Sequence, residues 1–259
     1  MITMQPTEQL VGINVQGDYY DFEAFVDAAH RLTGMWPDED YTDPYYSCSN
    51  RLLGICYDIR HAYQGDREVV VKDNGLNREV MKYHNLVMSD QTVYYSVNIL
   101  FPEAIFVATT SEKFLSYAQK YYGKNGKKLM EKEGWPLYYE YPQYLKDCAV
   151  IRSFACLIWG AVGDVIGEAA LERILNSQSP YEAYIGYAAQ YIDKYDIELI
   201  NAKPDKRAGK LKTMAKKIVD PDNSYYQVYA DVSAAARAYG CSIHEVHDPD
   251  LDFPEEIEW

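Results

Sequence analysis

The 259-residue sequence predicts an α+β protein in which helix dominates: a small N-terminal sheet with covering helices, followed by an all-helical C-terminal half. Two observations support this prediction. Alternating apolar residues, which are typical of half-buried strands, occur only in the first half of the chain. Beyond a stretch rich in Lys and Gly, apolar residues recur at helical spacing instead. We therefore expect an α+β half over residues 1–125 and a helical half with an acidic tail over residues 135–259, packed as one unit.

Short segments in the first half are expected to form the sheet. Apolar and polar residues alternate over residues 10–16 and again over 92–100, which predicts two half-buried strands. Three consecutive valines predict a short buried strand over 68–72. Residues 104–109 either form a further strand or belong to the first turns of a helix. With the first option, the sheet comprises residues 10–16, 68–72 and 92–109.

Helices are predicted where apolar residues recur every three or four positions. They are expected over residues 21–34, 45–64, 111–122, 137–159, 164–175, 179–201, 204–219 and 225–239. The helix over 45–64 has the clearest apolar stripe. A capping box, Ser179 to Glu182, marks the start of another. Residues 35–44 are expected to form an acidic loop, and the pattern over 76–90 is ambiguous.

Acidic residues outnumber basic residues by 39 to 25, so the net charge is −14. Because phosphate is recognised mainly by Lys and Arg, we expect a protein or small-molecule partner and no nucleic acid. The longest uncharged apolar stretch, Ser153 to Gly163, has eleven residues and is too short to cross a membrane as a helix. The first ten residues lack the pattern of a secretory signal. We therefore expect a cytoplasmic protein without a membrane partner.

The cysteines predict neither a disulfide framework nor a metal site. There are five, an odd number, and most lie among apolar residues, so reduced core thiols are expected. Cys241, His244 and His247 have a spacing that one helical turn could direct at zinc, but no fourth ligand is apparent. We therefore expect no metal and no cofactor.

Several segments together suggest a family. They are Gly17 to Glu23, Leu53 to Ala62, Gln64 to Glu68 and the closing Glu255 to Trp259. With these segments the chain resembles, nearly from end to end, an uncharacterised bacterial family, a domain of unknown function. The resemblance implies a bacterial, intracellular protein that forms a single unit. It implies no catalytic residue.

The helix over residues 45–64 carries the candidate catalytic site. At about 100° per residue, Arg51, Asp58 and His61 fall on one surface opposite the apolar stripe. An Asp beside a His orients the imidazole and raises its basicity, so Asp58 and His61 are candidate catalytic residues. Arg51 and the nearby Arg67 are candidate binding residues. The alternative is a solvated face with ordinary ion pairs.

Tyrosines are the candidate contacts for a protein partner. The chain has 26, and Tyr19 and Tyr20 lie in the segment Asp18 to Asp43, which contains eight acids and one Arg. Tyr is enriched at interfaces because it combines apolar area with a hydroxyl group. We therefore expect Tyr19 and Tyr20 to contact a basic partner. The alternative is that the acids only keep the protein soluble, with the Tyr side chains turned into the core.

Familiar hydrolase signatures, such as H-E-x-x-H and G-x-S-x-G, are absent from the sequence. The first hypothesis is therefore a non-catalytic binding or regulatory protein, an acidic partner-binding module of the immunity or defence type. The alternative is an enzyme, a hydrolase of a nucleotide-like small molecule that uses Asp58 and His61. Lys203 to Lys217 form a basic helix that could bind anions, although a solvated helix beside acidic neighbours is simpler. The oligomeric state is left open.

Overall fold

The computed structural model describes residues 1–33, 44–133, 139–178, 187–248 and 251–259. The strands in these ranges are β1 Thr3–Pro6, β2 Gly12–Gly17, β3 Glu68–Asp73 and β4 Gln91–Leu100. The helices are α1 Tyr19–Thr33, α2 Tyr46–His61, α3 Arg78–His84, α4 Phe101–Ala118, α5 Gly123–Glu133, α6 Tyr141–Ile166, α7 Glu168–Asn176, α8 Ala189–Ile200, α9 Pro204–Val219 and α10 Asn223–Tyr239. The helix-dominated α+β class is confirmed.

The sheet is antiparallel, with the strand order β1-β2-β4-β3. Its two faces differ, as the alternation in β2 and β4 predicts. Ile13 lies opposite Ile99, and these side chains are buried against the helices. On the other face, the Asn14 side-chain amide donates to Ser96 Oγ at 2.8 Å and to Asn98 Oδ1 at 2.7 Å. One face of the sheet therefore builds the core, and the other carries a ladder of polar side chains.

Two expectations about the sheet are wrong. Residues 104–109 belong to α4 and not to a strand, so the helical alternative for this segment is the correct one. Every position from Ala104 to Ala108 is buried, so the segment is apolar on all sides and shows no period that separates helix from strand. The segment 68–72 does form β3, but Val69 is 49% exposed and Val71 is 56% exposed. β3 lies at the edge of the sheet, so its valines are partly exposed although they are hydrophobic.

Helix boundaries follow local signals closely in some places and not in others. α9 has the predicted bounds, and α1 begins two residues early because Asp18 accepts a hydrogen bond from the Asp21 amide at 2.9 Å. α6 runs on to Ile166 and ends at Gly167, whose φ is 85°. α3 and α5 were not predicted. Most of the acidic loop and the capping box lie in residues 34–43 and 179–186, which are outside the described residues.

Helix α6 joins the two halves of the chain. It packs against α1 and α4, and its Phe154 ring stacks on Phe25 of α1 with 4.0 Å between ring centroids. By length and composition alone, α6 is long and apolar enough to cross a membrane. The expectation drawn from the eleven-residue stretch Ser153 to Gly163 considered only part of this helix. The helix also carries the buried carboxylate of Asp147, which accepts hydrogen bonds from Arg31 of α1.

Candidate functional site

A cleft of about 360 Å³ opens at the edge of the sheet, beside the point where β3 begins. Three acidic residues from different elements line it: Asp58 of α2, Glu68 of β3 and Glu103 of α4. Ile257 and Trp259, at the C-terminal end of the chain, also line it. Arg67 is the one cation among the described residues of this lining. The cleft is therefore acidic and has an aromatic ring in its wall.

The floor of the cleft is a strand with one open side. β3 pairs with β4 only as far as Ser96, which lies opposite Glu68, whereas β2 pairs with β4 as far as Leu100. In the described part of the chain, residues 97–100 of β4 therefore have a neighbouring strand on one side only. Within the described residues, no backbone–backbone hydrogen bond joins this segment to the tail over 251–259. Unpaired backbone groups at such an edge can bond to an added strand.

Of the candidate catalytic residues, Asp58 lines the cleft and His61 is not among the described residues that do. Asp58 Oδ1 lies 3.2 Å from Arg67 Nη2, and both side chains are 42% exposed, so the pair contributes less than about 1 kcal/mol. His61 Nδ1 instead lies 2.8 Å from Asp66 Oδ2, in the π-helical turn that follows α2. The two residues have separate partners, Asp66 in the turn after α2 and Arg67 directly after that turn.

Arg51 lies in a partly buried ion cluster behind the cleft. Its guanidinium donates to Asp193 and to the Ala189 carbonyl oxygen, the latter at 3.0 Å, and lies 3.7 Å from Glu103 Oε1. Burial lowers the pKa of Arg51, but the negative charges of Asp193 and Glu103 outweigh this effect and raise it overall. Arg51 therefore stays charged and fixes Glu103 at the inner end of the cleft.

Asp196 completes this cluster. It is 1% exposed, and its Oδ1 atom has no hydrogen-bond partner among the described residues. Burial, and next the negative charge of Glu103, raise the pKa of Asp196 well above its usual value. Burial also raises the pKa of Glu103, although Arg51 acts in the opposite direction. Three carboxyl groups thus share one cation, and the raised pKa values of Glu103 and Asp196 favour the protonated forms of these two groups.

Tyr19 and Tyr20 lie away from the cleft, at the start of α1. Their side chains are 41% and 77% exposed. The Tyr19 hydroxyl donates to Glu23 Oε1 at 3.0 Å, and its ring packs on Tyr20 and on Tyr63. They form a small aromatic surface patch rather than part of the candidate site.

The sequence placed Glu68 near Asp58 as part of a possible polar pocket, but it did not single out Glu103 or Trp259, because both lie far along the chain from Asp58. One signal was present at Gly54, which shares a helix face with Arg51 and Asp58. A Cβ atom added to Gly54 would lie 3.7 Å from Glu103 Oε1, so the small residue leaves room for that carboxylate. The helical spacing indicated the face, but not what packs against it.

The possible zinc ligands do not form a cluster. The His244 ring packs on Tyr46, with 4.4 Å between ring centroids, and lies 6.1 Å from the ring of Tyr187. Within the described ranges, no group of three or more His, Cys, Asp or Glu side chains is arranged to hold a metal ion.

The basic helix α9 packs beside acidic neighbours. Lys210 pairs with Glu198 of α8, and Lys217 lies 3.2 Å from Asp222 Oδ2. Arg207 is buried and donates to three backbone carbonyl oxygens, including Gln9 O at 2.8 Å. These contacts favour the structural interpretation of this helix over an anion site.

The fold and the cleft define a helix-dominated α+β protein with an acidic cleft at the open edge of its sheet. Residues 2–259 match a family described as a domain of unknown function (DUF6904). The chain belongs to this family, which confirms the resemblance to a domain of unknown function. No curated protein and no solved structure matches the chain.

Proposed function

We propose that this protein is a non-catalytic binding protein whose cleft takes an extended, basic segment of a protein partner. The observation that carries the proposal is the open edge of β4 over residues 97–100, flanked by Asp58, Glu68 and Glu103. An edge strand offers hydrogen bonds to a peptide backbone, and acidic walls select its side chains.

Hydrogen bonds between the backbones of β4 and the peptide would supply affinity whatever the sequence of the peptide. A peptide strand added beside residues 97–100 would lie in line with β3, which occupies the same side of β4 further along. Because successive side chains of a strand point to opposite faces, every second side chain would meet the acidic walls. The proposed ligand is therefore a segment in which basic residues recur at alternate positions.

Charge would supply selectivity. Among the described residues that line the cleft, Arg67 is the one cation and it pairs with Asp58, while Glu103 lies near Arg51 behind the cleft. The Trp259 ring could receive an ammonium or guanidinium group on its face. The net charge of −14 would draw a basic partner towards the protein and repel nucleic acid. We accordingly propose a basic cytoplasmic protein as the partner, with α6 remaining a core helix.

The hydrolase alternative receives no support from the described residues. Asp58 is bound to Arg67 and His61 to Asp66, so neither orients the other. A general acid–base pair needs hydrogen-bond contact with the reacting group or with its partner.

The test is a titration with an acetylated, amidated hexapeptide of alternating Lys and Val, followed through the indole N–H signal of Trp259. The matched peptide has Glu in place of each Lys. We expect saturable binding of the Lys peptide only, weakened as salt screens the charges.

The variant Asp58→Asn should weaken this binding about fivefold, the effect of removing about 1 kcal/mol of charge attraction. Asp205→Asn makes the same charge change on an exposed acid of α9 and should leave affinity unchanged. Equal binding of the two peptides, no binding of either, or equal losses in both variants would contradict the proposal.

A further inference from the structure

β3 is an edge strand that exposes apolar side chains. Its only neighbour in the described sheet is β4, so its outer side is unpaired. Val69, Val71 and Val93 are 49%, 56% and 45% exposed, and Val71 lies opposite Val93. These valines extend the face that elsewhere in the sheet is buried by helices, since Val97 continues it on β4. A strand of this kind is a ready template for another strand.

The sequence of β3 is complementary to itself. In an antiparallel pairing of two copies centred on Val70, Arg67 lies opposite Asp73 of the other copy, and Glu68 lies opposite Lys72. Val69 then faces Val71, so apolar residues meet apolar residues on one face. Opposite charges placed across two strands stabilise the pairing, whereas like charges destabilise it.

Neighbouring registers lack this complementarity. A shift by one residue in one direction places Arg67 opposite Lys72, and a shift in the other direction places Glu68 opposite Asp73. Either shift also sets charged residues opposite valines. Of these three registers, only the pairing about a two-fold axis at Val70 sets each charged residue opposite one of the opposite sign.

We propose that two copies of this chain associate through β3, in antiparallel pairing about a two-fold axis at Val70. The two four-stranded sheets then form one continuous sheet. Such an interface is isologous, so each contact occurs twice. The valines of both copies form one apolar patch, and the Glu68–Lys72 pairs lie on the opposite face.

A second exposed apolar segment lies beside the end of β3. Leu86, Val87 and Met88 are 41%, 100% and 59% exposed. This segment is held next to β3, because the Asn74 amide donates to the Asp90 carbonyl oxygen at 3.0 Å and its side chain donates to Ser89 O at 2.9 Å. In the proposed dimer it extends the apolar contact towards the end of the partner strand that follows Arg67.

The test is sedimentation velocity of the full chain over a range of concentrations. We expect a reversible dimer for the unmodified chain. In a dimer of the Glu68→Lys variant, the introduced lysine lies opposite Lys72 of the other copy at both symmetry-related positions. In a dimer of the Lys72→Glu variant, the introduced glutamate likewise lies opposite Glu68. Each variant should raise the dissociation constant about tenfold or more. An equimolar mixture of the two variants should restore dimers, because every cross-strand pair again carries opposite charges.

Two controls make the outcome decisive. Lys82→Glu changes the charge of an exposed residue of α3 and should leave the dimer unchanged. Val70→Cys should form a cross-linked dimer on mild oxidation, because residues on the two-fold axis of an antiparallel pair lie within disulfide distance. Val87→Cys, at a position that is more exposed than Val70 but off the axis, should not exceed the cross-linking of the unmodified chain. A chain that stays monomeric up to about 1 mM, or variants that fail to restore dimers on mixing, would overturn the proposal.

Discussion

Buried carboxyl groups in this protein have two kinds of surroundings. Asp147 is 1% exposed and accepts hydrogen bonds from Arg31, from the Tyr122 hydroxyl at 3.0 Å and from Gln143 at 2.8 Å. Asp196 is equally buried, yet its Oδ1 atom has no hydrogen-bond partner among the described residues. The first arrangement supplies hydrogen-bond donors to both carboxyl oxygens. The second favours the protonated form.

Removing the charge of Asp147 should therefore be costly. We expect Asp147→Asn to lower the free energy of unfolding by about 3 kcal/mol, because Arg31 would lose the carboxylate that it binds with two nitrogen atoms. Urea unfolding followed by circular dichroism measures this change.

The matched control is Glu112→Gln, which breaks a similar two-atom contact with Arg152 on the surface. Both of its side chains are more than half exposed, so the loss should stay below about 1 kcal/mol. Equal losses for the two variants would show that burial does not govern the Arg31–Asp147 pair.

Asp196 should make stability depend on pH. Burial raises its pKa in the folded state, so the folded protein keeps a proton that the unfolded chain releases above about pH 4. The stabilising contribution of Asp196 is thus fully present below the unfolded pKa and is lost as pH rises through the folded pKa. Asn is neutral at every pH. We therefore expect Asp196→Asn to raise the free energy of unfolding more at about pH 8 than at about pH 4, relative to the unmodified chain.

Urea unfolding at both pH values tests this expectation. Asp193→Asn is the comparison, because Asp193 binds Arg51 directly and its loss should destabilise the protein near neutral pH. If Asp196→Asn destabilises the protein more at high pH than at low pH, the carboxylate is ionised in the folded state.

At the scale of elements, Gly12 decides how the C-terminal end lies on the sheet. A Cβ atom added there would lie 2.2 Å from the Ile99 carbonyl oxygen and 2.7 Å from Cζ3 of Trp259. Both distances are shorter than any normal contact. The absence of a side chain on β2 therefore allows β4 and the Trp259 ring to approach together, and this approach forms one wall of the cleft.

Gly12→Ala should consequently destabilise the protein by about 1–3 kcal/mol and shift the indole N–H signal of Trp259. Gly160→Ala is the control, because Gly160 is exposed on α6 and an added Cβ would meet nothing within 4 Å. This control should raise stability by up to about 1 kcal/mol through helix propensity. An unchanged Trp259 signal in Gly12→Ala would mean that the ring does not rest on β2.

At the scale of the whole molecule, the thiols report on global unfolding. Cys48, Cys56 and Cys148 are buried, Cys156 is exposed and Cys241 is partly exposed. Burial raises the pKa of Cys56 and of Cys148, which lowers the fraction of reactive thiolate. The expectation of core thiols therefore holds for the first three and is wrong for Cys156 and Cys241.

We expect two thiols to be alkylated in the native protein and the other three only when it unfolds. Mass spectrometry after timed alkylation without reductant counts them. Recovery of an intact disulfide, or simultaneous reaction of all five, would contradict the burial pattern.

The sequence by itself determined the elements whose pattern has a clear period or a sharp boundary. The alternation in residues 10–16 and 92–100 specified β2 and β4, and Pro204 with Asp220 delimited α9. These signals are local, because a period of two or of 3.6 residues decides which side chains share a face.

Tertiary structure alone decided the state of uniformly apolar segments and the composition of the site. Residues 104–109 suit a buried helix or a buried strand equally, and packing on all sides selected the helix. The face of α2 that carries Asp58 was predictable, but its neighbours Glu103 and Trp259 were not. Side chains distant along the chain meet only where packing brings their elements together. The local periodicity of the sequence does not indicate which elements these are.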